Sequence, residues 1–124
     1  MSARIALKLR LWRDDDVAMG PGKADLLEAI GRAGSISAAA RTMEMSYRRA
    51  WMLVEVMNRS FREPLVRSAV GGTHGGGAQL TEAGTRVLTK FRAMEAAAMV
   101  AAEAHLAPLA DELADELAAA PGAD

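Results

Sequence analysis

The chain has 124 residues, 51% hydrophobic and 25% charged, and its length holds one domain with a modest core plus at most an appended arm. The absence of cysteine excludes a disulfide framework and thiolate metal sites; with no basic-then-apolar leader and no bilayer-length apolar run, a soluble cytoplasmic protein without a membrane partner is expected. The net charge of −1 hides an asymmetry: all 15 Lys and Arg lie at or before Arg92, where nine acids leave +6, whereas residues 93–124 carry seven acids and no base. A basic body with an acidic tail is a pattern seen in nucleic-acid-binding chains.

Ile5, Leu7, Leu9 and Leu11 alternate with Ala6, Lys8, Arg10 and Trp12, and this period of two predicts a half-buried strand. Trp12 falls off the apolar face and is a candidate dimer contact. Asp14-Asp15-Asp16 reads as a solvated turn ending the strand, and Gly20-Pro21-Gly22 as a loop. From Lys23 to about Ala33, Leu26, Leu27 and Ile30 recur at helical spacing, with Gly31 and Gly34 near the stop.

The next stretch carries the most chemistry. Ser35 or Ser37 can cap a second helix, whose Ala38-Ala39-Ala40 is small enough for close packing. Ser46 caps a third helix running to about Arg59, with Ala50, Trp51, Val54 and Met57 predicted on its core face. Its first turn is Tyr47-Arg48-Arg49. Two arginines at a helix N-terminus oppose the helix dipole, so they call for a reason beyond local stability. A DNA groove supplies one, because the N-terminal residues of a recognition helix meet base edges and arginine pairs bidentately with guanine or clamps phosphates.

Leu65-Val66-Arg67-Ser68 and Ala78-Gln79-Leu80 flank a glycine-rich loop containing Gly71, Gly72, Thr73, His74 and Gly75, a two-stranded wing. No Gly-Lys-Ser/Thr follows, so this is no phosphate loop of a nucleotide-binding enzyme. Thr81-Glu82 opens a last helix with apolar Val87, Leu88, Phe91, Met94 and Ala98. Pro108 breaks or kinks it, and Leu106, Leu109, Leu113 and Leu117 form a second stripe on an Ala-rich end read as helical to Ala120. A helix from Thr81 to Ala107 would be about 40 Å long, more than one small domain covers. A second copy is therefore expected to cover it. Pairing of two copies would set recognition helices roughly 34 Å apart, one DNA turn.

The fold class expected is mainly α with a small β-hairpin: a winged helix-turn-helix at 1–80 with an N-terminal strand, then a long dimerisation helix at 81–120 broken near Pro108. DNA-binding candidates are Ser35, Ser37, Arg41, Ser46, Tyr47, Arg48, Arg49, Arg67, Thr73, His74 and Gly75, with Arg59 and Arg62 as further phosphate candidates. Dimerisation candidates are Val87, Leu88, Phe91, Met94, Leu106, Leu109, Leu113 and Leu117. No serine has a nucleophile-elbow context, no carboxylate pair adjoins a base, and His74 and His105 lack partners at ligand spacing. No catalytic residue, metal or cofactor is expected.

Residues 34–58, with Ser46-Tyr47, Ala50-Trp51, Val54, Met57 and Asn58, resemble the N-terminal domain of ModE-type, molybdate-responsive transcriptional regulators. Gly71-Gly72, Gly75-Gly76-Gly77-Ala78, Leu80-Thr81 and Gly84 resemble that family's glycine-rich wing and the start of its dimer helix. LysR-type regulators are the broader relatives, and the resemblance spans roughly residues 20–90. It implies a homodimer on a pseudo-palindromic double-stranded operator, possessing no molybdate-binding domain of its own within these residues. His74 stands where the family's wing often has a basic residue. The alternative expectation is an interaction module that heterodimerises with a longer regulator through 81–120; a LysR-like domain with a different effector is a third.

Overall fold

A computed structural model describes residues 2–69 and 76–120. The elements run β1 (Leu11–Arg13), β2 (Asp16–Met19), α1 (Pro21–Ala33), α2 (Ile36–Thr42), α3 (Tyr47–Ser60), β3 (Val66–Ala69), β4 (Gly77–Leu80), α4 (Glu82–Glu103) and α5 (Leu106–Ala110). This is the winged helix-turn-helix architecture with a long following helix that the hydrophobic patterning predicts.

The N-terminus departs from expectation. The alternating segment from Ile5 forms no strand until Leu11; β1 pairs antiparallel with β2 through Trp12↔Val17 and Arg13↔Asp16. Alternation signals an extended chain with one sheltered side, but a ladder extends only as far as its partner, and β2 has four residues. Asp14 makes the tight turn at φ 54, a left-handed conformation that Asp tolerates better than most residues. Gly20-Pro21-Gly22 is likewise not a loop, because α1 already starts at Pro21. Proline has no N–H to leave unsatisfied and its φ suits the first helical position, while the Gly20 carbonyl accepts from the Ala24 amide at 2.9 Å.

Helix α1 is the centre of the core. Leu26, Leu27 and Ile30 are fully buried on one face, with Met19, Met57 and Leu65 packed around them. Burying each of these side chains contributes about 1.5–3 kcal/mol. Ala39, Ala40 and Ala50 let α2 and α3 approach closely. Gly34 ends α1 at φ 77, where a side chain would be strained. Its carbonyl accepts from the Ala78 amide at 2.8 Å, tying the wing to the helix-turn.

Helix α4 is clamped at two points. Thr81 caps it, accepting from the Gly84 amide at 2.9 Å and donating its hydroxyl to the Pro64 carbonyl at 2.6 Å. Farther along, Arg92 donates to Glu95 at 2.8 Å, to Glu28 at 2.8 Å and to Asp25 at 2.6 Å, joining α4 to α1. Those bonds, the one to Glu95 foremost, hold the Arg92 guanidinium pKa above its ordinary value despite partial burial.

The arm is shorter than its composition suggests. Helix α4 ends at Glu103, and α5 follows after a tight turn in which the His105 amide donates to Ala102. Proline at 108 has no N–H for the Ala104 carbonyl and would clash with it, so the interruption falls one turn upstream. Pro108 itself sits in the first turn of α5. The helix expected to continue to Ala120 stops at Ala110, and Leu109, Leu113 and Leu117 remain exposed.

Candidate nucleic-acid interface

Helix α3 is anchored along one face by Ala50, Val54 and Met57, all buried. Ser46 caps it by accepting from the Arg49 amide at 3.0 Å, which fixes where the first turn begins. Tyr47, Arg48 and Arg49 follow that cap and are all exposed. Ser35, rather than Ser37, caps α2, accepting from the Ala38 amide at 3.0 Å; Ser37 is exposed in the first turn. Between the two helices Glu44 adopts φ 56 and the Met45 amide donates to Ala40 at 3.0 Å, closing the turn.

The three first-turn side chains of α3 do not point the same way. Tyr47 lines a cleft of about 270 Å³ between α3 and the wing, together with Trp51, Glu55, Asn58, Arg67 and Ser68. Arg48 and Arg49 flank the other side of α3 with Met52 and Leu53. Arg49 also borders a hollow shared with Arg10 and Lys23, two cations the motif-based reading missed because they precede the helix-turn-helix. Lys23 donates its ammonium to the Val17 carbonyl, and burial pushes its pKa down while Asp16 opposes the shift.

Trp51 corrects an expectation. Assigned to the core by its spacing from Ala50 and Val54, it is 46% exposed, and Tyr47 one turn earlier is 56% exposed. The positions four apart on this helix face the wing, and the core is already filled by Ala50, Val54 and Met57.

The wing is held to α3 by Asn58. Its Oδ1 accepts from the amides of Leu65 at 2.8 Å and Val66 at 3.1 Å, and its Nδ2 donates to the Val66 carbonyl at 3.1 Å. Strands β3 and β4 pair in register from Val66↔Leu80 to Ala69↔Gly77, placing exposed Arg67 opposite Gln79. Thr73, His74 and Gly75 lie outside the described residues. Arg41 is exposed near the end of α2, and Arg59 and Arg62 are exposed beyond it.

On α4, Val87 and Leu88 are half-buried against the core and Met94 is exposed. Phe91, expected at a dimer contact, is buried at 4% exposure in the chain's own core, since α4 packs on α1 at that turn. Leu106 is half-buried, whereas the remainder of its stripe is open. No group of three or more metal-ligating side chains occurs among the described residues, and no helix there is long and apolar enough to cross a membrane.

The pattern described as "bacterial regulatory helix-turn-helix protein, lysR family" matches residues 23–85, from the first turn of α1 to the start of α4. The chain belongs to that family. Within this lysR-family chain the match takes in the helix-turn-helix and the wing. Similar proteins include the molybdenum transport protein ModE of Azotobacter vinelandii, 40% identical over 76% of this chain and 35% of that protein. The molybdenum-pterin-binding protein MopB of Rhodobacter capsulatus is 50% identical over 63% of this chain and 29% of its own length. The DNA-binding transcriptional dual regulator ModE of Escherichia coli K12 is 39% identical over 73% of this chain and 34% of its own. These relatives bear out the ModE-type resemblance. The lysR-family chain spans about a third of the length of the relatives it matches.

Proposed function

We propose that this protein is a DNA-binding transcriptional regulator of molybdenum-related genes, working as a homodimer on a pseudo-palindromic operator. The observation that carries the reading is the first turn of α3, where an exposed tyrosine and two exposed arginines follow a serine cap beside a wing. In this reading α3 lies in the major groove, Arg48 or Arg49 contacts base edges or phosphates, and Arg41 and Arg67 hold flanking phosphates. Ser35 and Ser37, at the start of α2, would present that helix's free amides to a phosphate, and Thr73, His74 and Gly75 would approach the backbone from the wing. The molybdenum link rests on the names of the relatives. Exposed Met94 and Val100 on α4, with Leu109, Leu113 and Leu117 beyond it, support pairing of two copies through the arm.

Genomic fragments captured by the purified protein at physiological salt provide the test, with Arg48→Ala and Arg49→Ala alongside. The expected result is an enriched palindrome upstream of genes for molybdate uptake or molybdenum enzymes. An arginine on a base edge loses about 1–3 kcal/mol of discrimination at one position. An arginine on a phosphate weakens all sites alike and lowers the salt slope by about one. Unchanged binding by both variants would show that α3 does not enter the groove. A second reading, favoured by the acidic tail of residues 93–124 with no Lys or Arg, makes the chain a heterodimerising modulator of a longer regulator; its mark is recovery from cells with that protein rather than with itself.

A further inference from the structure

Trp51 has no structural task in the isolated chain that accounts for its size. The residue is 46% exposed, leaving on the order of 100 Å² of its surface in water, although Ala50 before it and Val54 three residues after it are buried in the core. Tyr47 lies one turn earlier on the same side, so the two rings make a continuous aromatic stripe along the first half of α3. Arg48, three residues before Trp51, lies beside this stripe, and Arg49 lies on the far side of the helix.

Two features say what the stripe meets. Glu55 follows Trp51 by one further turn and lines the same cleft, while Arg67 lines it from the wing strand, so a phosphate drawn in meets a cation on the wing side and a carboxylate on the α3 side. The stripe is therefore a base-facing surface, and backbone charge is left to the arginine flank and to Arg67. Among groups on the floor of the major groove, the one apolar group is the C5 methyl of thymine. The indole N–H is a donor with no acceptor capacity, which leaves the ring face and edge free to pack on a methyl group.

Resting on the groove placement of α3 proposed above, we infer that Trp51, flanked by Tyr47, is a specificity-determining residue that packs on a thymine 5-methyl group in each half-site. The methyl and a base read by Arg48 then lie side by side under one helix, so the recognised half-site combines a thymine with a neighbouring arginine-read base.

The test uses the full chain and a site selected by it from randomised duplexes. Each thymine of that site is replaced in turn by deoxyuridine, which keeps base pairing and removes only the methyl group. One thymine per half-site is expected to lose about fourfold in affinity on this change, the worth of one buried methyl group. In Trp51→Ala that thymine's replacement costs nothing, while Trp51→Phe keeps most of the sensitivity. Circular dichroism confirms that both variants fold, as the half-exposed position predicts. Equal deoxyuridine sensitivity at every thymine in wild type and Trp51→Ala overturns this assignment alone. Failure of the wild-type chain to select any duplex overturns the groove placement, and this assignment with it.

Discussion

Replacing Gly84 by alanine is expected to unfold the joint between α4 and the wing. A Cβ at this position would stand 2.1 Å from the Leu65 carbonyl oxygen and 3.0 Å from its carbonyl carbon. Ordinary carbon–oxygen contacts begin near ~3.3 Å, so one backbone must retreat by about 1.2 Å. Leu65 has little room to do so. Its side chain is fully buried, its amide is held by Asn58 and its carbonyl accepts from Thr81 at 2.9 Å. Overpacking of this kind costs about 1–3 kcal/mol and each hydrogen bond lost about 1 kcal/mol, against a gain of about 1 kcal/mol from alanine's helix propensity. The net expectation is a loss of about 2–4 kcal/mol, read by urea denaturation at fixed protein concentration so that self-association is held constant. Gly31→Ala supplies the opposite sign. There the new Cβ meets Leu80 Cδ1 at an ordinary 3.7 Å inside α1, and stability should rise by up to about 1 kcal/mol. A Gly84→Ala protein as stable as wild type would refute the claimed close approach.

Asn58→Ala strands the amides of Leu65 and Val66 and should cost about 2–3 kcal/mol, with faster hydrogen exchange at those two amides as the local signature. Asn58→Asp, which keeps both acceptances, should fall between wild type and alanine. Arg92→Met leaves Asp25 and Glu95 without their shared cation and Glu28 with only Arg32 at 3.9 Å, and a loss of about 1–3 kcal/mol is expected. That loss should shrink at high salt, which screens the repulsion; an equal loss at low and high salt would mean that packing of the arginine stem matters instead.

The helix-turn-helix was legible in the sequence because its signals are local. Ser46 and Thr81 announce helix starts through a hydroxyl that bonds the third residue onward, and the Leu26-Leu27-Ile30 spacing marks a buried face. Trp51 was not legible, since periodicity places a residue on the side of the helix near the core but does not show where the core is already full. Strand β1 shows a second limit. Alternation from Ile5 to Leu11 describes an extended chain, whereas the length of the ladder is set by β2, four residues that begin at the last Asp of the acidic turn and are too few to show a pattern of their own. Asn58 exemplifies a third, because an asparagine that joins a helix to a strand carries no mark distinguishing it from any other polar residue. Pro108 marks the arm in sequence, but the carbonyl it displaces lies four residues earlier, and α4 ends at Glu103.

The two clamps on α4 make it a lever. Thr81 fixes one end to the segment leading into β3, and Arg92 locks its middle to α1, so the helix turns only together with the body that carries α3. At 22 residues α4 is ~33 Å long, and a sideways push of ~3 Å at its far end corresponds to a rotation of ~5°. A partner that holds α4 beyond Glu95 therefore holds the body that carries α3, at a distance from the exposed arginines.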